Sequence, residues 1–450
     1  IKRLVGLPGE RLKIQNGDLY VKEGDSDFEI ARKPAEKVLA MRQLVHDTDH
    51  QPARLRKSGY PLRWGDAENG WQSTETVEGQ LVKQSFDVKA SGLPVWLRYS
   101  HLPPDAIAWK TALENSEQRY PPKPQLITDF NAYNTAVKRI EHNRHDVLSV
   151  GPQNLGLHWV GDLILEAAVE VRSDHGNLIL ELVESGRRFR CTLDVATGQA
   201  VLSAIPFGQT SPTAGFAPTA STRVKNQGAY HLRFANVDDQ LLLWVNGKLV
   251  SFDSSTQYDS EELFGENAGL APQASDENPG DLSPVAIGAQ ELDASVSRLS
   301  VWRDIYYIAD KNTPDDPKEN RDLGIVSDFL VLRLGDHLGV VTDRGVVRLD
   351  QMLEDPAYWY AFDARQIKEF ELDKDLFFVM GDNSAASSDA RLWAIGNCNA
   401  PGVPGGAYLE RQLLTGKAVC VYWPHSFSRV PGTGIPFPLF PNFADMRLIR

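Results

Sequence analysis

The chain has 450 residues, of which 42% are hydrophobic and 24% are charged, and its 60 acidic and 47 basic residues give a formal net charge of −13. This balance is typical of a globular protein with a large core, and the length allows two or three domains of ~150 residues. The sequence has no long basic block, so we expect no nucleic-acid partner. It also has no run of ~18 apolar residues that could span a membrane as a helix.

The cysteine and histidine patterns indicate neither a disulfide framework nor a metal centre. The three cysteines are Cys191, Cys398 and Cys420, and no C-x-x-C or Cys/His ligand spacing occurs. We therefore expect no cofactor and no metal site.

The first 24 residues predict short strands joined by tight turns. A Gly-Leu-Pro-Gly turn at 6–9 follows the first apolar run, and the Asn16-Gly17 pair lies between two alternating runs. Because both residues of an Asn-Gly pair tolerate positive φ, this pattern predicts a β-hairpin. Residues 25–83 are expected to form a connecting segment with one short helix near 34–45, where Val38, Met41 and Val45 share a face.

Residues 84–307 predict an antiparallel β-sandwich of the jelly-roll type. Short apolar runs recur there between turn signals, and the clearest is a hairpin at 241–252 closed by Asn246-Gly247. The polar stretches 208–226 and 254–284 are interpreted as long surface loops.

The rest of the chain returns to strand-like sequence. Residues 308–324 are charged and contain two prolines, which is typical of a linker. Residues 325–430 resume short apolar runs, and 431–450 form a proline- and aromatic-rich tail. The predicted fold class is all-β, with a core built discontinuously from 1–24 and 325–430 and a sandwich inserted between them.

Two segments at opposite ends of the chain carry the most specific motif. Residues 1–10 read IKRLVGLPGE, and residues 378–393 read FVMGDNSAASSDARLW. Together they resemble two signature boxes of the type I signal peptidases, a family of membrane peptidases with a Ser/Lys dyad. The segment LLTGKAVCVYWPH at 413–425 is similar to the family's last core strand, in the style of planctomycete-like members.

The resemblance implies that Lys2 is a catalytic general base. A lysine amine has a reference pKa of ~10.4, so it acts as a base only where apolar burial lowers its pKa. A neutral lysine can then take the proton of a serine hydroxyl. We expect Ile1, Leu4 and Val5 to supply the apolar walls, with Ile1 also binding substrate.

The second box is expected to shape the site around that lysine. Gly381, Asp382 and Asn383 predict a tight turn after an apolar strand. By resemblance, Ser387 is the family's catalytic-site serine that hydrogen-bonds the lysine, because a hydroxyl fixes the amine without adding negative charge.

Two further residues of the box are expected to brace it. By resemblance, Asp389 and Arg391 form the family's ion pair, with Trp393 packed behind. The box departs from the commonest bacterial pattern at 384–386, where Ser-Ala-Ala replaces Arg-Asp-Asn.

The family's nucleophilic serine belongs to a Ser-Met box upstream of the lysine, and no Ser-Met dipeptide occurs in this sequence. Since the chain begins inside a motif and without methionine, we expect it to be a fragment lacking the nucleophile box and the N-terminal membrane anchor, and inactive as it stands. The predicted function is the extracytoplasmic part of a plasma-membrane signal peptidase. Its partners would be preprotein signal peptides and, through the anchor, the membrane.

An alternative function is a binding module on a decayed peptidase core. The insertion resembles laminin-G and concanavalin-like jelly rolls, which implies a glycan or protein ligand. Trp159, Trp244 and Trp302 are candidates to stack on sugars, although core packing is the expected fate of each. The acidic loop at 253–266 is a candidate Ca²⁺ site, although a solvated loop is expected.

Overall fold

The computed structural model describes residues 2–66, 70–117, 121–131, 137–142, 145–150, 156–264, 270–310, 325–335, 337–393, 408–422, 426–430, 433, 435–443 and 446–448. Its sheets are built from antiparallel strand pairs, which confirms the predicted all-β fold.

The strands of this part of the chain are short, and most have fewer than ten residues. In chain order they are β1 (Arg3–Gly6), β2 (Glu10–Gln15), β3 (Asp18–Glu23), β4 (Glu29–Ile30), β5 (Gln43–Asp47), β6 (Gln51–Pro52), β7 (Trp64–Asp66), β8 (Trp71–Glu78), β9 (Leu81–Lys89), β10 (Val95–Tyr99), β11 (Val137–His142), β12 (His145–Val150), β13 (Leu163–Val171), β14 (Asn177–Glu184), β15 (Arg187–Asp194), β16 (Gln199–Ile205), β17 (Thr219–Ser221), β18 (Gly228–Asn236), β19 (Leu241–Val245), β20 (Lys248–Leu249), β21 (Val285–Gln290), β22 (Asp293–Arg303), β23 (Val331–Leu334), β24 (His337–Thr342), β25 (Gly345–Arg348), β26 (Lys368–Glu371), β27 (Leu376–Met380), β28 (Leu409–Glu410), β29 (Cys420–Val421), β30 (Phe427–Arg429), β31 (Pro436–Phe440) and β32 (Arg447–Leu448).

Within the described ranges, helices are few and short. The α-helices are α1 (Ala35–Met41), α2 (Ala53–Lys57), α3 (Ala106–Leu113), α4 (Ser260–Phe264), α5 (Leu349–Glu354) and α6 (Ala390–Trp393), and the 3₁₀ turns are Gly280–Leu282, Pro356–Ala364 and Arg411–Leu413.

Two large sheets form the sandwich. One has seven strands in the order β17-β16-β15-β14-β21-β10-β7, and the other has nine, in which β20-β19-β18-β13-β22-β9-β6 form the main path while β5 pairs with β22 and β8 with β9. Leu180 and Phe189 of the first sheet and Leu165 and Phe234 of the second belong to one buried core, so the sheets pack face to face. Alternate residues of β15 are buried, as expected for a strand with one face on a core.

The sandwich takes in strands from the segment predicted to connect it to the N-terminal hairpin. Strands β5 to β8, between Gln43 and Glu78, all join the two large sheets, which therefore extend beyond the predicted 84–307 range. Most of β8 is exposed and polar, so it lacks the alternation that reveals a half-buried strand. The predicted helix is present as α1, with Val38 and Met41 buried, but Val45 lies on β5.

The two chain ends meet in smaller sheets beside the sandwich. Strand β1 joins β27 and β28, and the hairpin β2–β3 lies between β26 and β4. The hairpin turn is closed by Asn16 at φ 55° and Gly17 at φ 98°, as the sequence predicts. Leu12, Phe370 and Phe378 share one buried core, so both ends of the chain fold around common apolar contacts.

A further buried cluster draws most of its residues from 325–362, among them Phe329, Val340, Met352 and Trp359. It also includes Leu126, Leu157 and Trp159. Of the predicted linker, residues 311–324 lie outside the described residues, as do parts of the predicted tail.

Candidate functional site

The pairing of β1 with β27 brings the two signature boxes together. Leu4 lies opposite Val379 and Gly6 opposite Phe378, with an irregularity between these two pairs. A side chain at Gly6 would not fit, since its Cβ would lie 2.4 Å from Cδ1 of Leu12. Residues at opposite ends of the chain are therefore neighbours in one small sheet.

Lys2 and Ser387 are in direct contact at this junction. The Lys2 Nζ donates to the Ser387 Oγ at 2.5 Å. Gly381 makes room for them, because a Cβ there would lie 2.2 Å from the Ser387 Oγ and 3.2 Å from the Lys2 Nζ. The glycine of the second box is thus required by the close approach of a serine and a lysine.

A buried ion pair lies beneath this contact. Arg391 donates from Nε to Oδ1 of Asp389 at 2.8 Å and from Nη2 to Oδ2 at 2.7 Å, and neither side chain is exposed. The Gly381 backbone N–H donates to the same carboxylate at 3.0 Å. Two parallel bonds of this kind fix position as well as charge.

Asp389 is held in its ionised form. Burial by itself raises the pKa of Asp389, but the bonds from Arg391, the Gly381 N–H and the Ser387 hydroxyl outweigh burial and bring the pKa below its usual range. Because an ionised carboxylate only accepts, the Ser387 hydroxyl donates to it. A lone pair of the Ser387 oxygen is then free to accept from Lys2. The serine thus connects the lysine to the Asp389–Arg391 ion pair.

Ser384, which the sequence marks only as a departure from the bacterial pattern, helps to hold Arg391 of this ion pair. Its Oγ accepts from the Ile308 N–H at 2.9 Å and from Nη1 of Arg391 at 2.7 Å. The Ile308 carbonyl accepts from the same Arg391 nitrogen at 3.1 Å. The segment leaving β22 is therefore bonded directly into the second box. No sequence spacing could have indicated a contact between residues this far apart.

Asp382 takes part in a second ion pair. Arg3 donates to Asp382 from Nε at 2.9 Å and from Nη2 at 2.7 Å. The chain bends at Asp382 and Asn383, and the hydrogen-bonded turn comes slightly later than predicted, with the Ala386 N–H donating to the Asn383 carbonyl at 3.1 Å. Nothing in the sequence marks Arg3 as a residue of the site. Because neighbouring side chains of a strand point to opposite faces, Arg3 lies on the face opposite Lys2.

Of the residues expected to form apolar walls around Lys2, the two that the structure describes, Leu4 and Val5, do not enclose it. Lys2 is exposed and Leu4 is 46% exposed, whereas Val5 packs against the core that contains Phe378. Successive side chains of a strand point to opposite faces, so Lys2 and Leu4 lie together on the solvent-exposed face. Ile1 and the Trp-Pro-His sequence at 423–425 lie outside the described residues.

A buried histidine forms another ionic cluster, between the sandwich and the 325–362 cluster. Nδ1 of His158 lies 2.8 Å from Oδ2 of Asp129, and Nε2 lies 3.1 Å from Oδ1 of Asp328. Burial lowers the pKa of His158, but the two carboxylates outweigh burial and raise it to about 10. Tyr306 donates to Oδ2 of Asp328 at 2.5 Å and stacks on the imidazole. No local pattern in the sequence indicates a role for His158.

The tryptophans proposed as sugar platforms behave mostly as core residues. Trp159 and Trp244 are buried, and Trp302 is half-buried beneath the Arg42 guanidinium, 4.0 Å from its ring centroid. In the acidic loop, Asp253 accepts from the backbone N–H and the hydroxyl of Thr219, both at 2.7 Å. This carboxylate therefore serves to hold β17.

No helix in the described ranges has both the length and the apolar character needed to cross a bilayer.

No protein-family model matches the sequence, and no curated protein matches it either. Among solved structures, the chain is similar to the carbohydrate binding module CBM66 from Bacillus subtilis, at a TM-score of 0.27 and 9% identity over 53% of this chain and 94% of that one. It is also similar to the Caenorhabditis elegans galectin LEC-6, at 0.21 and 9% over 31% and 83%. Sheep galectin-11 matches at 0.21 and 12% over 31% and 90%.

Proposed function

We propose that this chain is the extracytoplasmic part of a Ser/Lys-dyad peptidase of the type I signal peptidase kind, which removes signal peptides from translocated preproteins. The observation that carries the proposal is the 2.5 Å contact between Lys2 and Ser387 above a buried Asp389–Arg391 pair. A hydroxyl partner orients the amine without adding a negative charge, which is what a lysine base requires.

In this proposal each residue has a distinct role. Lys2 takes the proton of a nucleophilic serine that belongs to a Ser-Met box absent from this sequence. Ser387 orients Lys2, and Asp389 with Arg391 holds Ser387 in place. Lys2 and Leu4 face outward, and we infer that the nucleophile box and a bound preprotein cover them and supply the apolar surroundings. The active protein would be anchored in the plasma membrane.

Precursor cleavage by a protein that carries both the nucleophile box and these 450 residues tests the proposal. We expect Lys2→Ala to lower cleavage by ~10⁴-fold or more, as loss of a dyad member does. Lys22→Ala is the matched control, because the Lys22 ammonium lies 5.9 Å from the Phe28 ring and makes no contact with Ser387 in the described structure. Processing that survives Lys2→Ala would rule out the lysine mechanism.

A second candidate function, glycan binding by the sandwich, is favoured by one surface cluster. On the outer face of the seven-stranded sheet, the guanidinium groups of Arg98 and Arg190 lie 4.9 and 4.7 Å from the ring centroid of Trp96. Glu181 accepts from these arginines at 2.8 and 2.6 Å. Trp96 is only 9% exposed, so its ring supports the two guanidinium groups rather than facing a ligand. The Arg98 and Arg190 side chains are 25% and 20% exposed, and their N–H groups are suited to hydrogen-bond the hydroxyls of a sugar.

A glycan array probed with the full chain tests this second candidate. We expect Trp96→Ala to abolish binding and Trp109→Ala, a change at a partly exposed tryptophan on α3, to leave it intact. If the unmodified chain binds no glycan on the array, or if Trp96→Ala binds as well as the control, the surface cluster has no such role.

A further inference from the structure

Lys33 lies between two buried carboxylates of the sandwich. Its Nζ is 2.5 Å from Oδ1 of Asp238 and 2.8 Å from Oδ2 of Asp304, and the three side chains are 14%, 3% and 2% exposed. Asp238 follows β18 and Asp304 follows β22, whereas Lys33 precedes α1. Because the carboxyl carbon is bonded to the contacted oxygen, a small rotation brings the lysine nitrogen to the ~3–3.5 Å at which reacting atoms meet.

The Asp304 carboxylate is not fully bonded. Its Oδ1 has no hydrogen-bond partner in the part of the chain that the structure describes. A buried oxygen without a partner is unfavourable, and a buried ion pair offsets its own desolvation only with good hydrogen bonds. Condensation with an amine removes one carboxylate oxygen as water together with both charges of the pair. Burial therefore favours an amide over the ion pair at this position.

Asp238 is suited to carry a proton between the two reacting groups. Its Oδ2 accepts from the Lys33 backbone N–H at 2.9 Å, which leaves Oδ1 facing the Lys33 Nζ. Burial raises the pKa of Asp238, so this carboxylate takes up a proton more readily than an exposed one. Burial by itself lowers the pKa of Lys33, but Asp304 and Asp238 outweigh burial and raise it. The lysine therefore starts as an ammonium and needs a base before it can react.

The surroundings of Lys33 differ from those of an ordinary surface ion pair. Val237 and Ile305, which adjoin the two aspartates in the sequence, are 1% and 4% exposed. By contrast, Lys83 lies 2.7 Å from Glu78 with the two side chains 43% and 57% exposed. Water solvates the exposed ammonium and keeps it charged, whereas a desolvated amine is the better nucleophile.

We propose that Lys33 and Asp304 condense into an intramolecular amide, with Asp238 as the group that transfers a proton. Asp238 takes a proton from the Lys33 ammonium, and the neutral Nζ attacks Cγ of Asp304 to form a C–N bond. The two protons that the nitrogen loses on becoming an amide both pass to the departing oxygen, one of them through Asp238. The C–O bond then breaks and one water leaves, so no other reactant is consumed.

The amide would join the segment before α1 to the residue that follows β22. It closes a loop that contains the sandwich from β5 to β22. A covalent link across a long loop stabilises a protein mainly by restricting its unfolded state. This modification goes beyond the proposed peptidase function and does not depend on it.

Mass spectrometry of the denatured full chain tests the proposal, after the folded protein has been kept at neutral pH. We expect the chain to be lighter than its sequence requires by the mass of one water. Proteolysis should release a branched peptide in which the segment of Lys33 is joined to the segment of Asp304. The full sequence mass in the unmodified chain would overturn the proposal.

Variants identify the reacting groups. We expect Lys33→Arg and Asp304→Ala to keep the full mass, since each lacks one partner of the amide. Asp238→Asn should slow the loss of water by ~10²-fold or more, as removal of a general acid–base group does. Lys83→Arg is the matched control, because its ion pair is exposed, and it should lose water as the unmodified chain does.

A loss of water that persists in Lys33→Arg would come from another residue, such as an aspartate that closes to a succinimide, and would overturn the proposal. If the variants do not fold, the branched peptide from the unmodified chain decides by itself. Its presence establishes the amide, and its absence from a complete digest excludes it.

Discussion

Two ion pairs hold the turn after β27, and they differ in their environment. The Asp389–Arg391 pair is fully buried and bonded to backbone groups, whereas the Arg3–Asp382 pair leaves 34% and 45% of its side chains exposed. Breaking a buried pair leaves a charge without solvent or partner, while an exposed pair is replaced by water. The turn therefore rests on the inner pair, and the outer pair can change while Lys2 keeps its position.

Removing the inner arginine should have the largest effect. We expect Arg391→Met to lower the free energy of unfolding by about 3–5 kcal/mol, because the Asp389 carboxylate then remains buried without its partner. Chemical denaturation of the full chain measures the change. A loss below about 1 kcal/mol would mean that solvent reaches Asp389 and that the two pairs do not differ as described.

The buried His158 imidazole can be compared with the two ion pairs, but its charge depends on pH. Its pKa is raised from 6.5 in the ordinary side chain to about 10 by Asp129 and Asp328, against the effect of burial. The stability that this charge contributes is fully present below pH 6.5 and is lost as pH rises through about 10. We expect His158→Gln to remove this part of the alkaline decline in Tm.

His175→Gln is the control for that experiment, because the His175 side chain is 67% exposed beside Asp174. An alkaline profile of Tm that is identical in His158→Gln and the unmodified chain would show that His158 is not charged in the folded protein.

A substitution at Gly381 should lower the stability less than the removal of Arg391 does. We expect Gly381→Ala to cost about 1–3 kcal/mol in unfolding free energy, since the new Cβ would lie 2.2 Å from the Ser387 Oγ and displace it. Gly65→Ala is the control, because a Cβ there meets no atom within 4 Å. In the parent peptidase, cleavage should fall more than stability does. Equal stability of the two variants would show that Ser387 can move freely.

The outer pair should give the smallest effect. We expect Arg3→Met to lower the unfolding free energy by about 1 kcal/mol or less. The loss should shrink further at high salt, which screens exposed charges. A cost as large as that of Arg391→Met, measured by the same denaturation, would remove the distinction between the two pairs.

Local patterns predicted the elements that depend on local physics. The Asn16-Gly17 hairpin needs positive φ at two adjacent residues, and α1 needs helical spacing, so both are visible in a few residues. The meeting of Lys2 with Ser387 was predicted through the family resemblance, because no periodic pattern connects the two ends of a chain.

The contacts that the sequence did not predict join single polar residues across long separations. The bonds from Ser384 to Ile308, from His158 to Asp328 and from Lys33 to Asp304 are examples. Such residues lie in loops or at strand ends, where nothing repeats, and their partners are selected by the packing of the sheets. The polar edge strand β8 was missed for a related reason, since its backbone bonds to β9 hold it rather than apolar burial.

The segment that leaves β22 has a consequence for protein engineering. In five residues it contacts three separate parts of the molecule: Asp304 meets Lys33, Tyr306 meets Asp328, and Ile308 meets Ser384 and Arg391. The sandwich is therefore not an interchangeable cassette. A design that excises it at its last strand, or grafts another module in its place, must retain residues 304–308 to keep the turn that carries Ser387 intact.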